Sequence, residues 1–248
     1  MNKAFRTLYP STQKRNLFGY AVQELGSRIV RGDVKPGETL PNEAELGRAL
    51  GASRTVVREA VKSLASKGLI EPRTRVGTKV LPSAQWNLLD LDVLGWRYAA
   101  MPPMQFFREL SEMRRMIEPE AAAHAAERAT ADDLAAMTVA YNDMAAAEPS
   151  SDDAIDADIR FHRAILQATH NALILQMGGV IGVGLLVSFG ISNRSFDAFL
   201  PQHKQVLDAI ASRDPKLARA TMDHLLAATY SYLERELAGA LEKNKMPA

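Results

Sequence analysis

Apolar positions in the first third of the chain recur at helical spacing and are cut at intervals by glycine. Val22, Leu25, Ile29 and Val30 fall on one stripe of residues 18–31, the three-to-four spacing of an amphipathic helix, and Gly32-Asp33 with Pro36-Gly37 interrupts it. Pro41 or Asn42 opens a short second helix to Leu50, before Gly51, a residue type that suits the end of a helix. Ser53 is placed to cap a third, residues 54–67, which Gly68 stops. Leu69-Ile70-Glu71 and Thr78-Lys79-Val80-Leu81 then read as two short strands around a basic tip, Pro72 to Gly77. Helix, helix, turn, helix and a two-stranded wing make a winged helix-turn-helix over residues 1–81. The Gly-Ala-Ser turn between the central helices is what lets the second lie in a major groove.

Residues 82–103 form a boundary segment with apolar residues at helical spacing from Gln85 to Trp96, which predicts a short packed helix. Both tryptophans lie there; they read as anchors of a domain junction, a ligand contact being the other reading. Residues 104–241 are helical throughout, with helices predicted over 104–129, 131–147, 151–169, 172–191, 201–212 and 215–241. The fold class is therefore mainly α: an N-terminal winged helix-turn-helix plus an all-α bundle. The stretch 172–191 carries no charge over twenty residues, long enough to cross a bilayer. No basic cluster flanks it to set an orientation, so a central helix of a soluble bundle, with no membrane partner, is expected.

Composition sharpens this division. The formal net charge is +1, but residues 1–85 hold 15 Lys and Arg against 7 Asp and Glu, and the rest 15 against 22. A basic module joined to an acidic one suggests that the first binds a polyanion. There is no cysteine, which removes disulfides and thiolate chemistry and suits a cytoplasmic protein; no apolar signal-peptide core is visible at the N-terminus.

On the third helix Arg54 and Arg58 are four apart and project from one side. Two arginines there can reach guanine O6 and N7, while Thr55 and Lys62 suit phosphate or thymine-methyl contacts. Arg73, Arg75 and Gly77 at the wing tip are expected to meet the minor groove or backbone. In the helical half Asp158 and His162 share a helix face, and His203 and His224 lie on two further predicted helices. These four could converge on a divalent metal, zinc first, with nickel or manganese as alternatives, leaving a position open. Arg114 is expected to meet the carboxylate of an effector through a two-point contact, an ion pair with Glu118 being the other reading; Asn171 and Ser188 are further pocket candidates. His124 and His170 read as structural.

The run Pro36-Gly37-Glu38-Thr39-Leu40-Pro41-Asn42-Glu43-Ala44-Glu45-Leu46, with Ser53 to Ala60 and Gly68-Leu69-Ile70, resembles the GntR family of bacterial regulators. The resemblance implies that Arg54, Thr55 and Arg58 touch DNA together with the wing. The family often has arginine where this chain has Ala44. Glu112 to Pro119, Asp158 to His162 and His203 to Ile210 resemble the FadR-type ligand-binding domain, FCD, over residues 107–233. That resemblance implies that Asp158, His162, His203 and His224 are metal ligands. Gln85 to Asp90 and Thr169-His170-Asn171 resemble family members that respond to sugar acids, implying a galactonate-like effector.

The expected protein is thus a homodimeric repressor on a palindromic double-stranded operator, since two-fold protein symmetry asks for two-fold DNA symmetry. Effector binding is expected to act through the junction 85–96. A metal-free pocket for another organic acid is an alternative. A metal-dependent hydrolase is a remote one: there is no His-Glu-x-x-His run and no phosphate-binding glycine loop.

Overall fold

The computed structural model describes residues 16–73, 76–149, 151–191 and 195–243, in two compact units that divide between Pro102 and Pro103. In the first unit α1 (Leu17–Arg31) starts where the Asn16 side chain accepts from Gly19 N and stops at left-handed Gly32. Helix α2 (Glu43–Leu50) opens with a capping box between Asn42 and Glu45, satisfying two orphan N–H groups reciprocally. Helix α3 (Arg54–Ser66) is capped by Ser53. Their inward faces, among them Val22, Leu25, Leu46, Val57 and Leu64, form one core. Strands β1 (Ile70–Arg73) and β2 (Gly77–Val80) pair antiparallel with Ile70 opposite Val80, and Thr39 bridges to Lys79 on the outer edge of β2.

The segment after the wing folds back onto this unit. Trp86 donates its indole N–H to Leu81 O at 3.0 Å, and α4 (Leu91–Ala100), capped by Asp90, lays Trp96 against α1. Lys67, 8% exposed, meets Asp90 and Asp92 at 2.8 Å each. The helix expected around Trp96 is present, but it begins at Leu91; Ser83–Gln85 is a single 3-10 turn. This segment belongs to the core of the first unit, so it does not act as a free joint.

The second unit is helical: α5 (Pro103–Arg128), α6 (Ala131–Ala146), α7 (Asp152–Ala168), α8 (Ala172–Gln176), α9 (Gly178–Ile191), α10 (Ser195–Ala211) and α11 (Pro215–Lys243). Ala121, Ala122, Ala125 and Ala126 on α5 are buried, and such small side chains let α11 and α7 approach closely. The uncharged stretch forms two helices rather than one, with Met177 ending α8. Leu173 is exposed, whereas α9 is buried from Val180 to Phe189 and packs on α5, α7 and α11. By length and composition alone the whole stretch Ala172–Ile191 would pass for a membrane span; its α9 part is an interior helix, apolar on all sides as such a helix must be. Helix α10 starts at Ser195, six residues before Pro201, where a helix start was expected. Proline costs the helix one hydrogen bond without ending it here.

At Gly26 α1 and α4 approach closely, because a Cβ there would lie 2.3 Å from the Trp96 ring. Gly26→Ala is expected to destabilise the first unit by about 1–3 kcal/mol through overpacking, despite alanine's better helix propensity. Urea unfolding followed by tryptophan fluorescence measures it; unchanged or raised stability would contradict the packing of Trp96 on Gly26.

Candidate DNA interface and candidate metal centre

Helix α3 buries Val57, Ala60, Val61 and Leu64 and turns Arg54, Thr55, Arg58 and Lys62 outward. Arg54 has no ion pair among the described residues. Arg58 is gripped by Glu43 of α2, Nε to Oε1 at 3.2 Å and Nη2 to Oε2 at 3.0 Å; that hydrogen bond holds the Glu43 carboxyl below its ordinary range. Lys62 pairs with Glu59 at 2.8 Å and Arg73 with Glu71 at 2.7 Å. Gly77 has φ +99°, and a Cβ there would meet the Thr39 methyl at 2.6 Å; its place at the head of β2 is explained by the wing's backbone alone. Arg75 lies outside the described residues.

In the helical unit α5, α7, α9, α10 and α11 surround a cavity of about 40 Å³. Its polar wall is Asp158 and His162 of α7 and His203 of α10, with Arg114, Ser188 and Thr229 beside them. Leu185, Phe189, Phe199, Leu225 and Leu226 close the apolar side. Both imidazoles are held from behind. His203 Nδ1 lies 2.7 Å from Phe199 O; a carbonyl only accepts, so Nδ1 carries the hydrogen and, in the neutral ring, Nε2 keeps its lone pair. His162 Nδ1 is in close contact with Glu118 Oε2. Burial pushes the Glu118 carboxyl up, but Arg114 and His162 outweigh it and hold it at about 2. An ionised carboxylate likewise takes the Nδ1 hydrogen. Phe161 packs edge-on against both rings.

The two Nε2 atoms face Asp158 Oδ1, His203 at 3.0 Å and His162 at 3.6 Å. Oδ1 is thus a buried oxygen in ion-pair range of His203 but without a hydrogen-bond partner. Burial raises the Asp158 carboxyl, yet His203, His162 and Arg114 together leave it lowered. One ligand atom from each of Asp158, His162 and His203 lies within 4.8 Å of the others. Three such groups gathered in a buried site favour positive charge there, a metal cation or a proton on an imidazole, because a buried oxygen without a hydrogen-bond partner otherwise costs free energy. The donor set, two imidazole nitrogens and a carboxylate, fits a divalent cation.

His224 is not part of this group. It is exposed, and Leu225, one residue or about 100° further round α11, is what reaches the cavity. Asn171 is also outside, accepting from Leu173 N and Ile174 N as the cap of α8. Ser188 lines the cavity and donates to Gly184 O at 2.9 Å. Arg114 forms the ion pair with Glu118, the other reading of this residue, donating Nε–H at 2.5 Å, and it also lines the cavity. Gly184 makes room, since a Cβ there would stand 3.1 Å from Arg114 Cδ. His170 pairs with Asp133 and His124 with Glu127 on the surface.

Residues 19–80 match the model of bacterial regulatory proteins of the gntR family, and residues 109–228 match the FCD domain. The galactonate operon transcriptional repressor of Escherichia coli is 37% identical over 209 residues, covering 83% of this chain and 91% of its own. The chain belongs to the GntR family. The Uxu operon transcriptional regulator of Escherichia coli is 30% identical over 217 residues, with 81% of each chain covered. The solved structure of Lar from Listeria monocytogenes shares the fold, with a TM-score of 0.63 at 19% identity over 89% of this chain and 97% of its own. As a GntR regulator with an FCD domain the protein binds DNA to control transcription and is not an enzyme, which sets the hydrolase reading aside.

Two residues of this GntR protein escaped the sequence. Glu118 offered only its spacing from Arg114, with nothing to reveal a contact to His162, 44 positions away. Glu43 carried no hint of its grip on Arg58. Breaking a buried pair by removing one partner costs about 3–5 kcal/mol, so Arg114→Met is expected to destabilise the FCD domain by that order. The double variant Arg114→Met/Glu118→Leu should recover most of the loss. Equal stability of single variant and wild type in chemical denaturation would refute the buried pair.

Proposed function

We propose that this regulator is a cytoplasmic, homodimeric repressor of a sugar-acid catabolic operon, released from a palindromic operator when a galactonate-like acid binds in the FCD cavity. The observation that carries the sensing half is buried Asp158 Oδ1, without a hydrogen-bond partner and faced by two imidazole Nε2 atoms. Asp158, His162 and His203 would hold a divalent cation, zinc first and nickel or manganese next. When bound, the cation supplies an open position for a carboxylate or hydroxyl oxygen. Glu118 and Phe199 O orient the two histidines from behind, the arrangement that raises ligand basicity at metal sites. Arg114 lines the cavity and offers a guanidinium to the effector's carboxylate, and the Ser188 oxygen can accept from a hydroxyl.

A ligand shifts an equilibrium only by its differential affinity for two forms of the protein. The segment Ser83–Ala100 shares the core of the reader, so we place the flexing point at Met101-Pro102 rather than around Trp96. The sugar-acid assignment draws on the galactonate repressor's likeness. A metal-free pocket is the second reading, favoured by the 3.0 Å approach of His203 to Asp158, which a protonated imidazole would also stabilise.

On the DNA side Arg54, Thr55, Arg58 and Lys62 of α3 would meet the major groove, with Arg73, Arg75 and Gly77 of the wing beside them. Arg54→Ala is expected to weaken operator binding by about 1–3 kcal/mol and to relax base preference. Unchanged affinity and preference, measured by fluorescence anisotropy, would remove Arg54 from the interface.

Galactonate is expected to raise the melting temperature of metal-loaded protein, and the shift should vanish with a chelator or in His203→Ala. A shift that survives the chelator would establish the metal-free reading. No shift with galactonate or any related aldonate would refute the sugar-acid assignment.

A further inference from the structure

Arg54 apart, the described cations assigned to the DNA side are paired with carboxylates. Lys62 is paired with Glu59, three residues away on the same helix, and Arg73 with Glu71, its neighbour on β1. Glu43 differs from these, because it reaches Arg58 from the other helix of the helix-turn-helix, 15 residues away in sequence. It is not committed to the helix start, since Asn42 and Glu45 form the capping box of α2. Both contacts fall on the same side of the guanidinium: Oε1 takes the Nε hydrogen and Oε2 takes one on Nη2.

A guanidinium has five N–H donors. With the side edge taken by Glu43, the end edge remains, one hydrogen on each of Nη1 and Nη2. That pair matches the O6 and N7 acceptors of guanine as well as the side edge does. The grip therefore leaves Arg58 able to read a base while removing the freedom of a long, exposed side chain. It also sets a negative charge beside the contact, where a phosphate arriving out of register would be repelled.

We propose that Glu43 is a specificity-determining residue of the reader, which fixes the Arg58 guanidinium with its end edge toward a guanine and penalises phosphate contact at the same place. This rests on assigning the outward face of α3 to DNA, which Arg54→Ala tests separately. Duplexes recovered from a random-sequence library by the wild-type full-length protein supply the operator probe, and a scrambled duplex of equal composition supplies the non-specific one.

Glu43→Gln is expected to lower the ratio of operator to scrambled affinity by about tenfold, chiefly by strengthening binding to the scrambled duplex, with an unchanged melting temperature. Glu43→Asp, one methylene too short for both contacts, should lose part of the ratio although it keeps the charge. A ratio within about twofold of wild type in Glu43→Gln would make the pair an ordinary surface ion pair and overturn the proposal. Equal strengthening on both duplexes would overturn it too, by making Glu43 a shield that Arg58 sheds on binding. Recovery of no preferred sequence by the wild-type protein would instead remove the DNA assignment on which the proposal rests.

Discussion

Glu118 is withdrawn from water between the Arg114 guanidinium and the His162 imidazole, and the chemistry of the helical domain is arranged around that fact. A carboxylate buried on its own would take up a proton; one held between two cationic or donating groups stays ionised. Staying ionised, it keeps a hydrogen on His162 Nδ1 and turns Nε2 toward Asp158. The same carboxylate pins Arg114 where α5 passes Gly184 of α9, so that one guanidinium serves the fold and borders the cavity together. Replacing Glu118 would therefore disturb two elements and the orientation of an imidazole at once.

The DNA-binding unit uses a related device at lower stakes. Lys67, at the end of α3, is buried and answered by two aspartates at the start of α4. Burial lowers the Lys67 pKa, but Asp90 and Asp92 more than offset this, leaving it raised. With Trp96 against Gly26, the ion pairs make α4 part of the reader. A signal passed to this unit thus meets a body that includes the recognition helix, the wing and the segment after it.

Helix ends were the most legible feature of the chain. Asn42, Ser53 and Ser151 cap helices where a polar residue precedes an apolar stripe, because capping is a local interaction. Pro201 misled for the same reason: proline suits a first turn, and only the surrounding bundle keeps α10 helical on both sides of it. Asp158 and His162 were legible as a pair because four residues of helix bring two side chains to one face. His224 was not placed correctly, since its spacing along the chain says which helix it occupies but not how that helix is rotated.

By itself the sequence determined the class of molecule: a basic winged reader, an acidic helical sensor, and a family membership carried by dense local motifs. These depend on contacts within a few residues, which spacing and residue type report directly. Tertiary structure decided which charges meet. Arg58 with Glu43, Glu118 with His162, and His203 with Asp158 are pairs made between different helices, and no local pattern specifies them. Rotation of α11 by one residue is enough to put Leu225 in the cavity and His224 in water. Helix rotation is set by the packing of whole apolar faces, and so which side chains line this cavity is a property of the core.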